Sequence, residues 1–107
     1  MKKMKKKILI LEDDPNTCKS MKEILERKGF LGFSAQTAQE ALLIFDKEQF
    51  DGCIIDIHLE TEGMDGLDVL EKIREKDNAV KCVMLTCVDD SASQEKAKRL
   101  GVSGYFV

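Results

Sequence analysis

The chain of 107 residues has a single histidine, His58, and no Cys-x-x-Cys spacing among its four cysteines. With no second ligand at a recognisable distance from His58, the pattern speaks against a zinc site. Gly-x-x-x-x-Gly-Lys is absent, which removes the usual nucleotide loop, and no His-Asp pairing is available to activate a serine or cysteine nucleophile. Nor does any uninterrupted apolar stretch approach the roughly 20 residues needed to cross a bilayer, so no membrane span is expected. The basic start, Met-Lys-Lys-Met-Lys-Lys-Lys, resembles that of a secretory signal. The apolar run after it, however, covers only Ile8 to Leu11 before Glu-Asp-Asp, short of the roughly 7 to 15 residues such a segment requires. A cytoplasmic location is expected, with Cys18, Cys53, Cys82 and Cys87 as buried reduced thiols.

A chain of this length closes one core and leaves little for a second, so one domain and one site are expected. Residues 1–6 read as a basic flank and residues 7–107 as the domain. Five of the 17 lysines and arginines fall in the first seven positions, so residues 8–107 carry 12 basic against 20 acidic side chains, a formal charge of −8. The flank reads as solvated, and the acidic body argues against a nucleic-acid-binding face.

Ile8 to Leu11 is continuously apolar, as in a strand covered on both faces of a parallel sheet. Asp14-Pro15 then supplies a cap and a first helical residue, and Cys18, Met21, Ile24 and Leu25 recur at helical spacing until Gly29. Phe30 to Ala35 predicts a short second strand. Thr37-Ala-Gln-Glu40 predicts a capping box before a helix with Ala38, Ala41, Leu42 and Phe45 on one face. Cys53 to Asp56 predicts the third strand, residues 57–66 a loop, and Leu67, Leu70 and Ile73 the buried stripe of a third helix. Val80 to Leu85 predicts a fourth strand, Ser91 to Leu100 a fourth helix with Ser91-x-x-Gln94 as its cap, and Tyr105 to Val107 a fifth strand. Strands alternating with helices imply right-handed crossovers and an open, doubly wound parallel α/β sheet.

In such a sheet, functional groups gather at the carboxyl ends of the strands. Glu12 and Asp13 end the first strand, and Asp56 ends the third within an otherwise apolar run. If those strands are neighbours, three carboxylates share one crevice and need a cation between them. All-oxygen ligands that leave room for water and phosphate oxygens favour Mg²⁺. Asp14 alone satisfies the helix cap, which leaves Glu12 and Asp13 without a structural role. Thr86 closes the fourth strand with a hydroxyl able to hold a phosphate oxygen, and the available nucleophile is a carboxylate.

Glu12-Asp13 after Ile-Leu-Ile-Leu, Asp56 in Ile-Ile-Asp-Ile, Met64-Asp-Gly66-Leu, Thr86 after Val-Met-Leu, and Gly101-Val-Ser-Gly-Tyr-Phe-Val107 form an ordered set. Together they resemble the receiver domain of bacterial two-component response regulators, from about Lys7 to the end. The resemblance implies a flavodoxin-like, five-stranded sheet of order 2-1-3-4-5. It implies that Asp56 accepts a phosphoryl group from a sensor histidine kinase or a phosphotransfer protein. Glu12, Asp13, Asp56 and the backbone carbonyl of His58 would hold Mg²⁺. Thr86 would bind the phosphoryl group, and Tyr105 would change rotamer and alter the surface of the fourth helix and fifth strand for a downstream output domain or protein. Such a domain is regulatory rather than an enzyme, assisting only its own phosphorylation and dephosphorylation.

The sequence also departs from the family pattern. The loop Glu60-Thr-Glu-Gly63 is about two residues longer than usual, and Cys87 stands where alanine or glycine is common. Val88 offers no acid or amide to position water, so slow hydrolysis of the aspartyl phosphate is expected. The family's lysine and last helix would fall beyond Val107, which leads to an expectation of exposed apolar surface and dimerisation. Two other readings stay open: an interaction module that takes no phosphate, and a Mg²⁺-dependent phosphohydrolase with an aspartyl nucleophile.

Overall fold

The computed structural model describes residues 5–57, 63–86 and 91–106. Their elements are β1 (Lys7–Leu11), α1 (Pro15–Arg27), β2 (Leu31–Ala35), α2 (Ala38–Lys47) and β3 (Gly52–Asp56). There follow α3 (Gly66–Lys76), β4 (Lys81–Leu85), α4 (Ser91–Arg99) and β5 (Gly104–Phe106). The strands form one parallel sheet in the order β2-β1-β3-β4-β5, as expected. The register puts Leu11 beside Ile55 and Asp56 beside Leu85. The carboxyl ends of β1, β3 and β4 therefore open on one edge.

Local chemistry sets the boundaries. Asp14 caps α1, with Pro15 in the first turn, and the Thr37 hydroxyl caps α2 by accepting from the Glu40 amide at 3.1 Å. The reciprocal capping box lies on α3 instead, where Asp65 and Asp68 exchange 3.0 Å bonds with each other's backbone amides. Gly29 and Gly101 end α1 and α4 in left-handed conformations, φ 91° and 73°, which cost glycine least. Helix α4 begins at Ser91, so its cap position falls on residue 90, outside the described residues.

The two sheet faces are covered unequally. Alternation along the strands sends Leu9, Leu11, Cys53, Ile55, Cys82 and Met84 to one side, where they are buried in a core shared with α2, α3 and α4. On the other side, α1 packs on β1 and β2. There Ile10 is buried, whereas Ile54, Val83 and Leu85 are half-buried and Phe106 is 58% exposed. The helical stripe predicted for α1 is correspondingly shallow: Cys18 is buried, but Ile24 is exposed. Periodicity marks the side that faces the sheet, while burial requires neighbours on both flanks, and α1 lies over the β2 edge.

Arg74 ties the α3 and α4 layer together. Its guanidinium donates to the carbonyls of Val80 at 2.6 Å, Leu100 at 2.6 Å and Gly101 at 3.1 Å. A single side chain thereby joins the start of β4 to the carbonyl end of α4, where a cation also complements the helix dipole.

Candidate functional site: three carboxylates at the strand ends

Glu12 follows the last residue of β1, and its amide donates to the Ala35 carbonyl at the end of β2, 3.1 Å away. Its Oε1 accepts from the Asp14 amide at 3.2 Å. Asp14 itself turns away to cap α1, accepting from the Thr17 hydroxyl at 2.6 Å. That bond holds its carboxyl below the usual range. Glu12 and Asp13 are left facing β3. Carboxylate oxygens of Glu12, Asp13 and Asp56 all lie within 4.8 Å of one another, and all three residues are half-buried. The convergence expected from the strand ends is therefore present.

The Glu12 carboxyl is pushed up from 4.5 to about 7. Burial is the largest cause, opposed by the Asp14 amide and reinforced by the Asp56 charge and by hydrogen bonding with Asp13 and Asp56. Like charges thus face one another across the crevice. Three hard oxygen donors fit Mg²⁺ or Ca²⁺, and so incomplete a cage, with positions to spare for other oxygens, fits Mg²⁺ better.

The backbone beneath Asp56 is pinned from two directions. The Ile57 amide donates to the Leu85 carbonyl at 2.9 Å, and the Gly66 amide at the head of α3 donates to the Ile57 carbonyl at 2.9 Å. A Cβ on Gly66 would lie 2.2 Å from the Asp56 carbonyl oxygen. The glycine of Met64-Asp-Gly66 is thus a point of backbone contact between α3 and the end of β3. Aspartate followed by glycine at the start of an apolar stripe was the available signal, but the partner was not readable.

Thr86 lies one residue past Leu85, the strand neighbour of Asp56. It is 7% exposed, and its amide donates to the Phe106 carbonyl at 2.9 Å, linking the β4 end to β5. Tyr105 pairs with Met84 one strand farther out, half-buried and packed on the core. It also lines a concavity of about 520 Å³ with Gln94, Lys98 and Val102, at the α4 and β5 surface. His58, Cys87 and Val88, and the expectations attached to them, lie outside the described residues. Cys18, Cys53 and Cys82 are buried free thiols. Among the described residues, no helix is long and apolar enough to cross a membrane.

A concavity of about 770 Å³ lies at the opposite end of the sheet, between Lys5, Lys6 and Lys7 and the acids Asp46, Glu48 and Asp51. Lys7 pairs with Glu48 at 2.9 Å and Lys76 with Asp46, so charge there is internally compensated. None of the expected site residues lines it.

Residues 8–107 match the family model for the response regulator receiver domain. Sporulation initiation phosphotransferase F of Bacillus subtilis is 27% identical over 96% of this chain and 82% of its own length. The chain spans only 39% to 48% of several transcriptional regulators that it also matches. A CheY-like receiver domain protein from Methanospirillum hungatei superposes with a TM-score of 0.90 at 31% identity, over 96% of this chain and 81% of that one. The response regulator TrrA of Thermotoga maritima, solved in complex with Mg(2+)-BeF, superposes with a TM-score of 0.82 at 32% identity, over 95% and 85% of the two chains.

Proposed function

The chain belongs to the response regulator receiver domain family, and from that premise we propose that Asp56 is its phosphoacceptor, with Glu12 and Asp13 as its partners in holding Mg²⁺. The observation that carries this reading is the meeting of the three carboxylates at the edge of the sheet. The similarity to TrrA, solved with Mg(2+)-BeF, supports the metal part. The backbone carbonyl of His58 is proposed as a further ligand.

An Asp56 carboxylate oxygen attacks the phosphorus of a phosphohistidine on a sensor histidine kinase or phosphotransfer protein. The new O–P bond forms as the P–N bond breaks, and the leaving imidazole keeps the electron pair and takes up a proton. Bound at the carboxylates, Mg²⁺ supplies charge neutralisation and orientation for the transferring group. Glu12 and Asp13 hold their carboxylates beside Asp56, and the paired backbone at Ile57 and Gly66 fixes the direction from which Asp56 attacks. The Thr86 hydroxyl donates to a phosphoryl oxygen. Because the Thr86 amide is bonded to Phe106, its movement is passed to β5 and Tyr105, which reshapes the α4 and β5 surface for an output domain or protein.

The role is regulatory, not that of an enzyme acting on other substrates, and the setting proposed is cytoplasmic, with no membrane or direct nucleic-acid contact by this domain. The half-covered face bearing Phe106 is the proposed surface for dimerisation. Incubation with Mg²⁺ and acetyl phosphate, followed by intact-mass measurement, tests the acceptor. One added phosphoryl group is expected in the wild type and none in Asp56→Asn. Labelling that survives Asp56→Asn would overturn the assignment, and no labelling of either protein would favour an interaction module that takes no phosphate.

A further inference from the structure

The turn from β1 to α1 carries two of the three carboxylates, yet it lies outside both elements. The Glu12 backbone is nevertheless held at both of its polar groups. Its amide donates to the Ala35 carbonyl at 3.1 Å, and its carbonyl accepts from the Cys18 Sγ at 2.9 Å. The same sulfur lies 3.9 Å from the Ala35 carbonyl. Cys18 is 3% exposed, and its own amide donates to the Asp14 carbonyl at 3.0 Å. One thiol, carried on the turn of helix that Asp14 caps, thus reaches back to the ends of both β1 and β2.

The carbonyl it holds belongs to the peptide unit between Glu12 and Asp13. That unit is planar and contains the Cα atoms of both residues, so fixing the direction of its C=O fixes the plane from which both carboxylate side chains depart. We infer that Cys18 is a positioning residue whose thiol, by anchoring the Glu12 carbonyl, aims Glu12 and Asp13 at Asp56. The inference rests on the Mg²⁺ site proposed above. An alkyl side chain at this position would fill space but give the carbonyl no donor, whereas a serine would supply one at similar reach. Cys53 and Cys82, side by side on β3 and β4, are also buried thiols but lie in the core, so Cys82 provides a matched control for loss of a buried sulfur.

The test uses the intact chain in four forms: wild type, Cys18→Ala, Cys18→Ser and Cys82→Ala. Mg²⁺ affinity is read by calorimetry, and amide hydrogen exchange at residues 13 and 14 is read in EDTA. In Cys18→Ala, Mg²⁺ affinity should fall roughly three- to tenfold, the scale of losing a support one step removed from a ligand. Exchange at Asp13 and Asp14 should accelerate by a similar factor. Cys18→Ser should restore both to within about twofold of wild type, as expected if the donor rather than the sulfur matters. Cys82→Ala should lower the melting temperature and leave Mg²⁺ affinity unchanged. Wild-type affinity in Cys18→Ala, a Cys18→Ser protein as weak as Cys18→Ala, or an equal loss in Cys82→Ala would each overturn the inference. If the wild type itself takes up no Mg²⁺, the metal reading fails. Exchange in EDTA then decides the anchoring separately, and unchanged rates at Asp13 and Asp14 in Cys18→Ala would overturn it.

Discussion

Replacing Gly66 by alanine puts a methyl group 2.2 Å from the Asp56 carbonyl oxygen and 2.8 Å from both its carbonyl carbon and the Ile57 Cα. All three obstacles are backbone atoms at the end of a central strand, so no side-chain rotation relieves the overlap. Either α3 retreats and loses the 2.9 Å bond from the Gly66 amide to Ile57, or the peptide after Asp56 turns and carries the acceptor with it. Overpacking of this kind costs about 1–3 kcal/mol, and the hydrogen bond adds about 1 kcal/mol. Alanine's helical advantage, less than about 1 kcal/mol at the first position of α3, offsets part of that. A net loss of about 2 kcal/mol corresponds to a melting temperature lower by roughly 8–16 °C for a domain of this size. Thermal unfolding followed by circular dichroism in EDTA reads it directly. Gly104→Ala is the informative comparison. There the added Cβ lies 2.8 Å from the Phe106 ring, but that ring is exposed and free to swing aside, so less than about 0.5 kcal/mol is expected. Equal melting temperatures for Gly66→Ala and wild type, or equal losses for the two glycine variants, would refute the claim that α3 rests on the Asp56 backbone.

Arg74→Met keeps the aliphatic stem but strips donors from the Val80, Leu100 and Gly101 carbonyls. Urea unfolding should show a loss of about 2–3 kcal/mol, only partly recovered by Arg74→Lys, whose compact ammonium spans fewer acceptors; a change below about 0.5 kcal/mol would contradict the clamp. Since the Glu12 carboxyl is raised from 4.5 to about 7 in the fold, its favourable contribution is complete below pH 4.5 and lost as pH rises through 7. After discounting for solvent screening, wild type measured in EDTA should lose about 1 kcal/mol relative to Glu12→Gln between pH 4.5 and pH 8, and a relative gain would reverse the argument. Mg²⁺, which requires the ionised carboxylate, should bind more tightly as pH rises across the same interval, as read by calorimetry at fixed ionic strength.

Strands, helices and site were not equally legible, and the difference follows the range of the interactions concerned. Caps and stops act within about four residues, so Asp14-Pro15, Thr37, Gly29 and Gly101 could be placed from their neighbours alone. The continuous apolar runs of β1 and β3 showed that these strands lie inside a sheet, but adjacency of β1 and β3 is a property of chain order in space, and it entered through the family resemblance. Once they are adjacent, convergence of Glu12, Asp13 and Asp56 follows from strand length, because both strands end at the same edge of the sheet. Alternation also explains how an acid came to lie in so apolar a run. Asp56 shares a face with Ile54, the less covered side of the sheet, and is half-buried, so its carboxylate reaches the crevice without crossing the core. What stayed hidden depends on partners brought together from distant positions. Arg74 reaches Leu100 across 26 residues, Cys18 reaches back six residues to a backbone carbonyl, and Gly66 meets the backbone of Asp56, ten positions earlier in the sequence. None of these contacts leaves a periodic or compositional trace. In each, backbone carbonyls at element ends meet a donor or a bare Cα, so such positions are found by asking where strand and helix ends dispose of their unpaired groups.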